Sequence, residues 1–341
     1  MRITRFVAGL SLATTALAAN LTLVKEYSGS TFFDDWDFYG DSPVNANDQP
    51  WDGINPWDDY TLGDVFYMGK SNGSSLYHVD SNTGHAFIKV DNTSFVPVDQ
   101  KRKSIRMTSQ LFFNIGTLWV IDAYHIPWGC SSEAKPNGYG PNFGTHGGGV
   151  WAAHFNTSGI SIWFWSRGDV PASVASANDS IDMTSWGTPS ASWPTTSNCD
   201  IPNTFGAQQL VIDITLCGDW AGLNTSYAQT CDFTPQPTIP GYSRCYQDNV
   251  INNGTADYAS AYFELGAIRA FAVDASNDTS TALPPGATAS SPNTPSGSSA
   301  SSAAGPDTTQ DTNTNAGRPM ISSQIASVSA VFAVYAWFWF L

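Results

Sequence analysis

Apolar and β-branched residues recur along this chain in short runs, separated by clusters of the turn formers Gly, Pro, Asn and Asp. The runs are Ala86–Asn92, Lys103–Ser109, Leu111–Phe113, Leu118–Ala123, Gly148–Phe155, Ile160–Ser166, Gln208–Thr215 and Ala261–Ala272. Several alternate with period two. In Ser104-Ile105-Arg106-Met107-Thr108 the apolar and polar side chains fall on opposite faces of a strand. No long amphipathic helical pattern interrupts them. Many short strands without helical connections predict an all-β domain over residues 20–275, built as a sandwich or jelly roll.

The two ends break this pattern. Met1 to Ala19 has basic residues (Arg2, Arg5), an apolar middle and the small-residue exit Ala16-Leu17-Ala18, which predicts a secretory signal peptide over 1–19. From 276 to 316 the chain is rich in Ser, Thr, Pro, Gly and Ala, a composition that cannot repay the entropy of folding and predicts a disordered linker. Small residues Asn315-Ala316-Gly317, a short polar spacer and the apolar run Ile325–Leu341 follow in the order of a glycosylphosphatidylinositol (GPI) anchor signal. The expected anchor site is Asn315 and the expected propeptide 317–341. A transmembrane helix is the alternative, although the apolar run is marginal in length for a span.

Asn-x-Ser/Thr sequons begin at Asn20, Asn72, Asn92, Asn156, Asn178, Asn224, Asn253 and Asn277, as expected of a secreted glycoprotein. Five cysteines in an oxidising compartment are expected to pair. Cys199–Cys217 and Cys231–Cys245 are plausible short-range bridges, and connectivity is not readable from sequence. Cys130 would then have lost its partner, or would be a free or intermolecular thiol. A formal net charge of −15 argues against a nucleic-acid partner. The 13 Trp exceed what a core needs, and an indole face can stack on a sugar ring.

Two stretches carry a resemblance. Arg102 to Cys130 reads RKSIRMTSQLFFNIGTLWVIDAYHIPWGC, and Asn137 to Pro171 reads NGYGPNFGTHGGGVWAAHFNTSGISIWFWSRGDVP. With Tyr27 to Phe38, Phe87 to Asn92, Cys217 to Gly222 and Ala261 to Leu265 in the same order, they resemble the fungal endo-β-1,3(4)-glucanases (laminarinase-like) of glycoside hydrolase family 16 (GH16). The resemblance implies a jelly roll of two curved antiparallel sheets with a β-glucan cleft across the concave one, and hydrolysis with retention. It also implies a Glu-x-Asp-x-x-Glu strand between the two stretches. Here only SSEAKP stands there.

The chemistry needs that strand. Retention takes two carboxyl groups about 5 Å apart, one as nucleophile and one as acid/base. Positions i and i+2 of a strand share a face, and a bulge would bring the second Glu onto the same side. The chain has only Glu26, Glu133 and Glu264, all far apart, so no catalytic residue is assigned and the concave sheet is expected to be incomplete near Cys130. Asp122 reads as a loop-fixing acid, Glu264 as an edge or surface carboxylate, Glu133 as solvated, and Asp213 and Asp219 as structural. No metal or nucleophile-triad spacing is present, and no cofactor is expected. The residues expected to touch sugar are Trp163, Trp165 and Arg167, then Trp119, His125 and Trp220. Trp163 and Trp165 lie two apart and share a face. The expected partner is β-glucan; the protein is expected at the cell surface as a monomer. A noncatalytic glucan-binding protein is the alternative to a glucanase.

Overall fold

The computed structural model describes residues 20–41, 63–128, 137–230, 239–254, 258–273, 279–280 and 332–333. The signal, the linker, the anchor site Asn315, the GPI propeptide, Cys130, Cys231, Glu133 and Asn277 lie outside the described residues, the short pairs 279–280 and 332–333 aside.

Ten strands define the architecture: β1 (Leu21–Ser28), β2 (Trp36–Phe38), β3 (Ala86–Lys89), β4 (Arg106–Ser109), β5 (Leu118–His125), β6 (Gly149–Asn156), β7 (Gly159–Ser166), β8 (Ala191–Pro194), β9 (Leu210–Asp213) and β10 (Tyr262–Ala272). The larger sheet runs β1-β10-β5-β6-β7-β8, with Ser180–Ile181 beyond β1, and β3 and Tyr77–Val79 continuing the β1 edge of β10. Its pairings are antiparallel throughout. The smaller sheet places β4 between β2 and β9. The result is the expected sandwich of antiparallel sheets.

The core lies between the two sheets because alternate residues of each strand face inward. Trp119 and Ala123 of β5, Phe155 of β6, Ile160 of β7 and Phe263, Leu265 and Ile268 of β10 pack toward Leu210 and Ile212 of β9 and Met107 of β4. A second apolar layer covers the opposite face of the large sheet. There Leu118, Val120, Val150, Ala152 and Trp163 pack beneath Val174, Ala177 and Trp186 of the following segment.

Two expectations change. Lys103–Ser109 is not one strand. Arg102–Ser104 pairs in parallel with Val65–Tyr67, whereas β4 pairs with β2 and β9, and the buried Ile105 joins them. The bridges also differ: Cys217 bonds Cys245, replacing the expected Cys199–Cys217 and Cys231–Cys245 pairs. Cys245 sits in the helix Arg244–Asn249, which packs Tyr246 and Val250 against Leu216 and Cys217 and brings the two Cα atoms to 5.7 Å. Cys199 is exposed and unbonded. The other seven sequon asparagines lie at the surface, with Asn92 and Asn156 half-buried.

Candidate functional site

The site question turns on the junction after β5. Ile126 at the exit of β5 is buried, and the chain is next described at Asn137, entering a short helix, Gly140–Thr145, whose Phe143 is fully buried. It returns as β6, antiparallel to β5 from Leu118↔His154 to Ala123↔Gly149. Two glycines permit this return. Gly148 has φ +80°, and a Cβ there would collide with the Ala123 carbonyl; one at Gly149 would collide with the Trp165 carbonyl. The large sheet therefore closes directly from β5 to β6.

The small sheet offers less cover. Between the sheets lies an apolar cavity of about 90 Å³, walled by Trp119, Trp151, Phe155 and Ile162 on the large sheet and by Leu210 and Ile212 on β9. Beyond β9 the small sheet continues, among the described residues, only as the short pair Phe332–Ala333. The void thus sits where the small sheet is narrow, beside the strands that flank the junction.

On the other face of the large sheet, polar and aromatic side chains gather at the β3 end. Register breaks between β5 and β10 at Asp122/Ala123 and Ala123/His125 re-aim the residues there. Asp122 pairs with Arg167 at 2.6 Å, which also donates to the carbonyls of Ala123 and Gly147. The guanidinium lies 4.1 Å over the ring of Tyr124, and Tyr124 stacks on His85, which bonds Glu264 at 2.7 Å. Alongside, His78, Phe87, Tyr262 and His125 stack in turn across neighbouring strands. His125 donates from Nδ1 to the Tyr262 carbonyl; burial lowers its pKa, partly opposed by that bond and by Glu264. It is therefore neutral at pH 7, with Nε2 unprotonated. These rings therefore lie face to face on one another across the strands.

Five of the six expected sugar contacts now have a place. Trp163 and Trp165 share a face, but Trp186 packs edge-on against both, and Trp163 is 9% exposed. Their rings serve packing because the segment from Val170 to Trp186 folds over them. Trp119 is buried between the sheets against Phe113 and Phe155. Arg167 is held by Asp122 and Tyr124, and His125 by Tyr262. The Trp220 side chain lies outside the described residues. The structure thus brings Arg167 and His125 to the same end of one sheet and leaves the tryptophans elsewhere. Asp122 does fix a loop, through Arg167 rather than a lone hydrogen bond. Glu264 is a half-buried partner of His85. Asp213 is buried, with the Tyr67 hydroxyl 3.4 Å away. The Asp219 side chain lies outside the described residues. His85, Tyr124 and Tyr262 were not singled out by sequence, because they meet only through strand pairings between distant parts of the chain. Among the described residues no group of three His, Cys, Asp or Glu side chains could hold a metal ion.

Comparison with known proteins adds the remaining constraint. The family model described as the XgeA-like, catalytic GH16 domain matches residues 51–132 and 128–271, in two pieces that meet at the junction. A probable glycosidase of Schizosaccharomyces pombe is 24% identical over 326 residues, covering 74% of this chain and 70% of that protein. A probable endo-1,3(4)-β-glucanase of Aspergillus fumigatus is 27% identical over 332 residues, covering 76% of this chain but 47% of its own length. This chain thus spans about half of that relative. An alignment over 326 residues that takes up 74% of 341 leaves several dozen positions of the relative without a counterpart here. Among solved structures, laminarinase 16A of Phanerochaete chrysosporium, described with β-glucans in its donor and acceptor sites, has the same fold: TM-score 0.59, 22% identity, 74% of this chain and 100% of that one. An elongating GH16 β-1,3-glucosyltransferase gives TM-score 0.59 at 25% identity over 74% of this chain and 99% of its own. The family match covers well over half of the chain, and the sandwich agrees with it, so this chain belongs to glycoside hydrolase family 16, in the branch of the XgeA-like domain.

Proposed function

We propose that this is a secreted, GPI-anchored β-1,3(4)-glucanase-type protein lacking the strand that carries its catalytic carboxylates, so that the chain as written does not hydrolyse glucan. One observation carries the reading: the family match breaks at residues 128–132, where the sequence lacks a Glu-x-Asp-x-x-Glu segment. Three of the described carboxylates are engaged elsewhere: Glu26 with Arg269, Glu264 with His85 and Asp122 with Arg167. Retention needs two carboxyls facing one glycosidic bond about 5 Å apart, and the three glutamates, at 26, 133 and 264, stand too far apart in sequence to form the motif. The anchor and secretion readings rest on the two terminal segments. The substrate class rests on the glucanase relatives and the glucan-bound laminarinase fold.

A second reading is favoured by the direct β5–β6 pairing: the large sheet closes without the segment, so a folded, noncatalytic glucan-binding protein is physically coherent. Reducing-end release from laminarin and lichenan separates these readings from an active enzyme. The expected result is no release from this 341-residue chain, and release once an in-frame segment carrying Glu-x-Asp-x-x-Glu is placed between Cys130 and Ser131. Turnover by the present chain would overturn the proposal. Saturable binding to insoluble β-glucan without turnover would favour the binding role.

A further inference from the structure

We propose that Asn253 carries an N-glycan whose first N-acetylglucosamine stacks on the ring of Phe95. Phe95 is 67% exposed, the most exposed large apolar side chain among the described residues. A single exposed aromatic ordinarily needs no partner. This one stands directly opposite a sequon asparagine: Phe95–Val96 pairs antiparallel with Asn252–Asn253, and Phe95 faces Asn253 in register. Residues so placed share a face, with Cβ atoms about 4.5–5.5 Å apart. Val96 turns the other way and is buried with Tyr246 and Val250, whereas Phe95 and Asn253 are both exposed. A sugar on Nδ2 of Asn253 therefore begins beside the phenyl ring, whose apolar face suits the C–H face of a pyranose.

The backbone on both sides of this asparagine is fixed. Arg102 Nη2 donates to the Asn252 carbonyl, and the Gly254 carbonyl accepts the Tyr258 amide. A Cβ at Gly254 would collide with the Tyr258 ring, so the middle residue of the sequon is held close against the domain. A fixed attachment point presents the sugar to the ring with little further ordering cost. The inference rests on the secretory reading, because the glycan is added to a chain entering that route. There the Asn253 amide nitrogen attacks C1 of an oligosaccharide carried on a lipid diphosphate. The N–C1 bond forms and the C1–O bond breaks; the diphosphate leaves with the electron pair, and the amide gives up one proton. Asn253-Gly254-Thr255 supplies the hydroxyl residue that this transfer requires. The inference does not depend on whether the protein hydrolyses glucan.

The test uses the full chain made with its own leader in yeast. Mass spectrometry of glycopeptides reads the occupancy of each sequon, and thermal unfolding compares the parent with F95A, T255A and the double variant. The T255A change removes the sequon and leaves Asn253 in place. Asn253 is expected to be occupied, and F95A and T255A should each lower Tm by roughly 2–4 °C. The double variant should fall no further than either single one, because both changes break the same contact. Trimming every glycan to its first N-acetylglucosamine with an endoglycosidase should leave the parent Tm unchanged, since that sugar makes the contact. An empty Asn253 beside occupied sequons elsewhere would overturn the proposal alone. So would additive losses in the double variant, or a Tm that falls on trimming. A chain with every sequon empty would overturn the secretory reading, and the proposal with it.

Discussion

At the scale of single residues, a buried acid and a half-buried one are shifted in opposite directions. Burial alone would raise the Asp91 carboxyl, but hydrogen bonds from Ser94 and Thr93 outweigh it and hold the group at about 2. Its folded pKa lies below the unfolded value of about 3.9, so its contribution is present above that pH and lost as pH falls toward 2. That displacement is worth about 2–3 kcal/mol. Asp91→Ala should lose that stability at pH 7 and flatten the acid limb of a urea-denaturation profile between pH 4 and pH 2. Asp64 is the reverse case. Burial raises it to about 6, with Lys101 pulling it partly back. Its folded pKa exceeds the unfolded one, so stability is greatest below pH 4 and declines as pH rises through 6. Asp64→Asn should therefore stabilise the protein at pH 7, by about 2 kcal/mol after allowing for partial exposure, and match the parent at pH 4. A variant weaker than the parent at pH 7 would remove the burial argument.

At the scale of elements, Arg102 fastens the strand Arg102–Ser104 to two distant loops. It is fully buried; Nη1 donates to the carbonyls of Asp91 and Ser94 and Nη2 to that of Asn252, while the guanidinium lies 5.0 Å over Tyr258. The planar fork reaches both loops at once, which a lysine ammonium cannot. Arg102→Lys should cost about 2–3 kcal/mol in chemical denaturation, by leaving buried carbonyls unpaired. It should also speed hydrogen exchange at the Asn252–Asn253 pairing with Phe95–Val96 more than at β5 or β6. A uniform loss across all strands would mean that Arg102 supports the core generally rather than this junction. The sequence marked the neighbouring run as a strand because Ile105 and Met107 alternate with polar residues. It could not mark the division at Ile105, since that division follows from having different partners on either side. β1 escaped for a related reason. A register shift between Leu23 and Lys25 breaks the period, so Leu21 and Leu23 are followed by Val24 and Tyr27 rather than by an even alternation.

At the scale of the whole molecule, most of the fold was legible because the central strands β5, β6, β7 and β10 bury alternate residues over long stretches. The missing carboxylates were legible because a motif of fixed spacing either occurs or does not. What was not legible was which tryptophan faces remain open: Trp163 and Trp165 share a face as their spacing requires, but its cover comes from Trp186, across a chain reversal. The cavity was equally hidden, since it arises from the mismatch in width between two sheets. That mismatch makes a final prediction. Ala153 lines the void, and Ala153→Leu would add three carbons facing it. At about 0.8 kcal/mol per buried CH₂ the gain has a ceiling near 2 kcal/mol, and incomplete fit brings it to about 1. For a domain of this size that is a rise of roughly 2–4 °C in Tm by calorimetry. In a sandwich already packed to native density the same change would overpack the core and cost about 1–3 kcal/mol. A fall in Tm would therefore mean that the two sheets already meet, and that the narrow small sheet leaves no room for another strand.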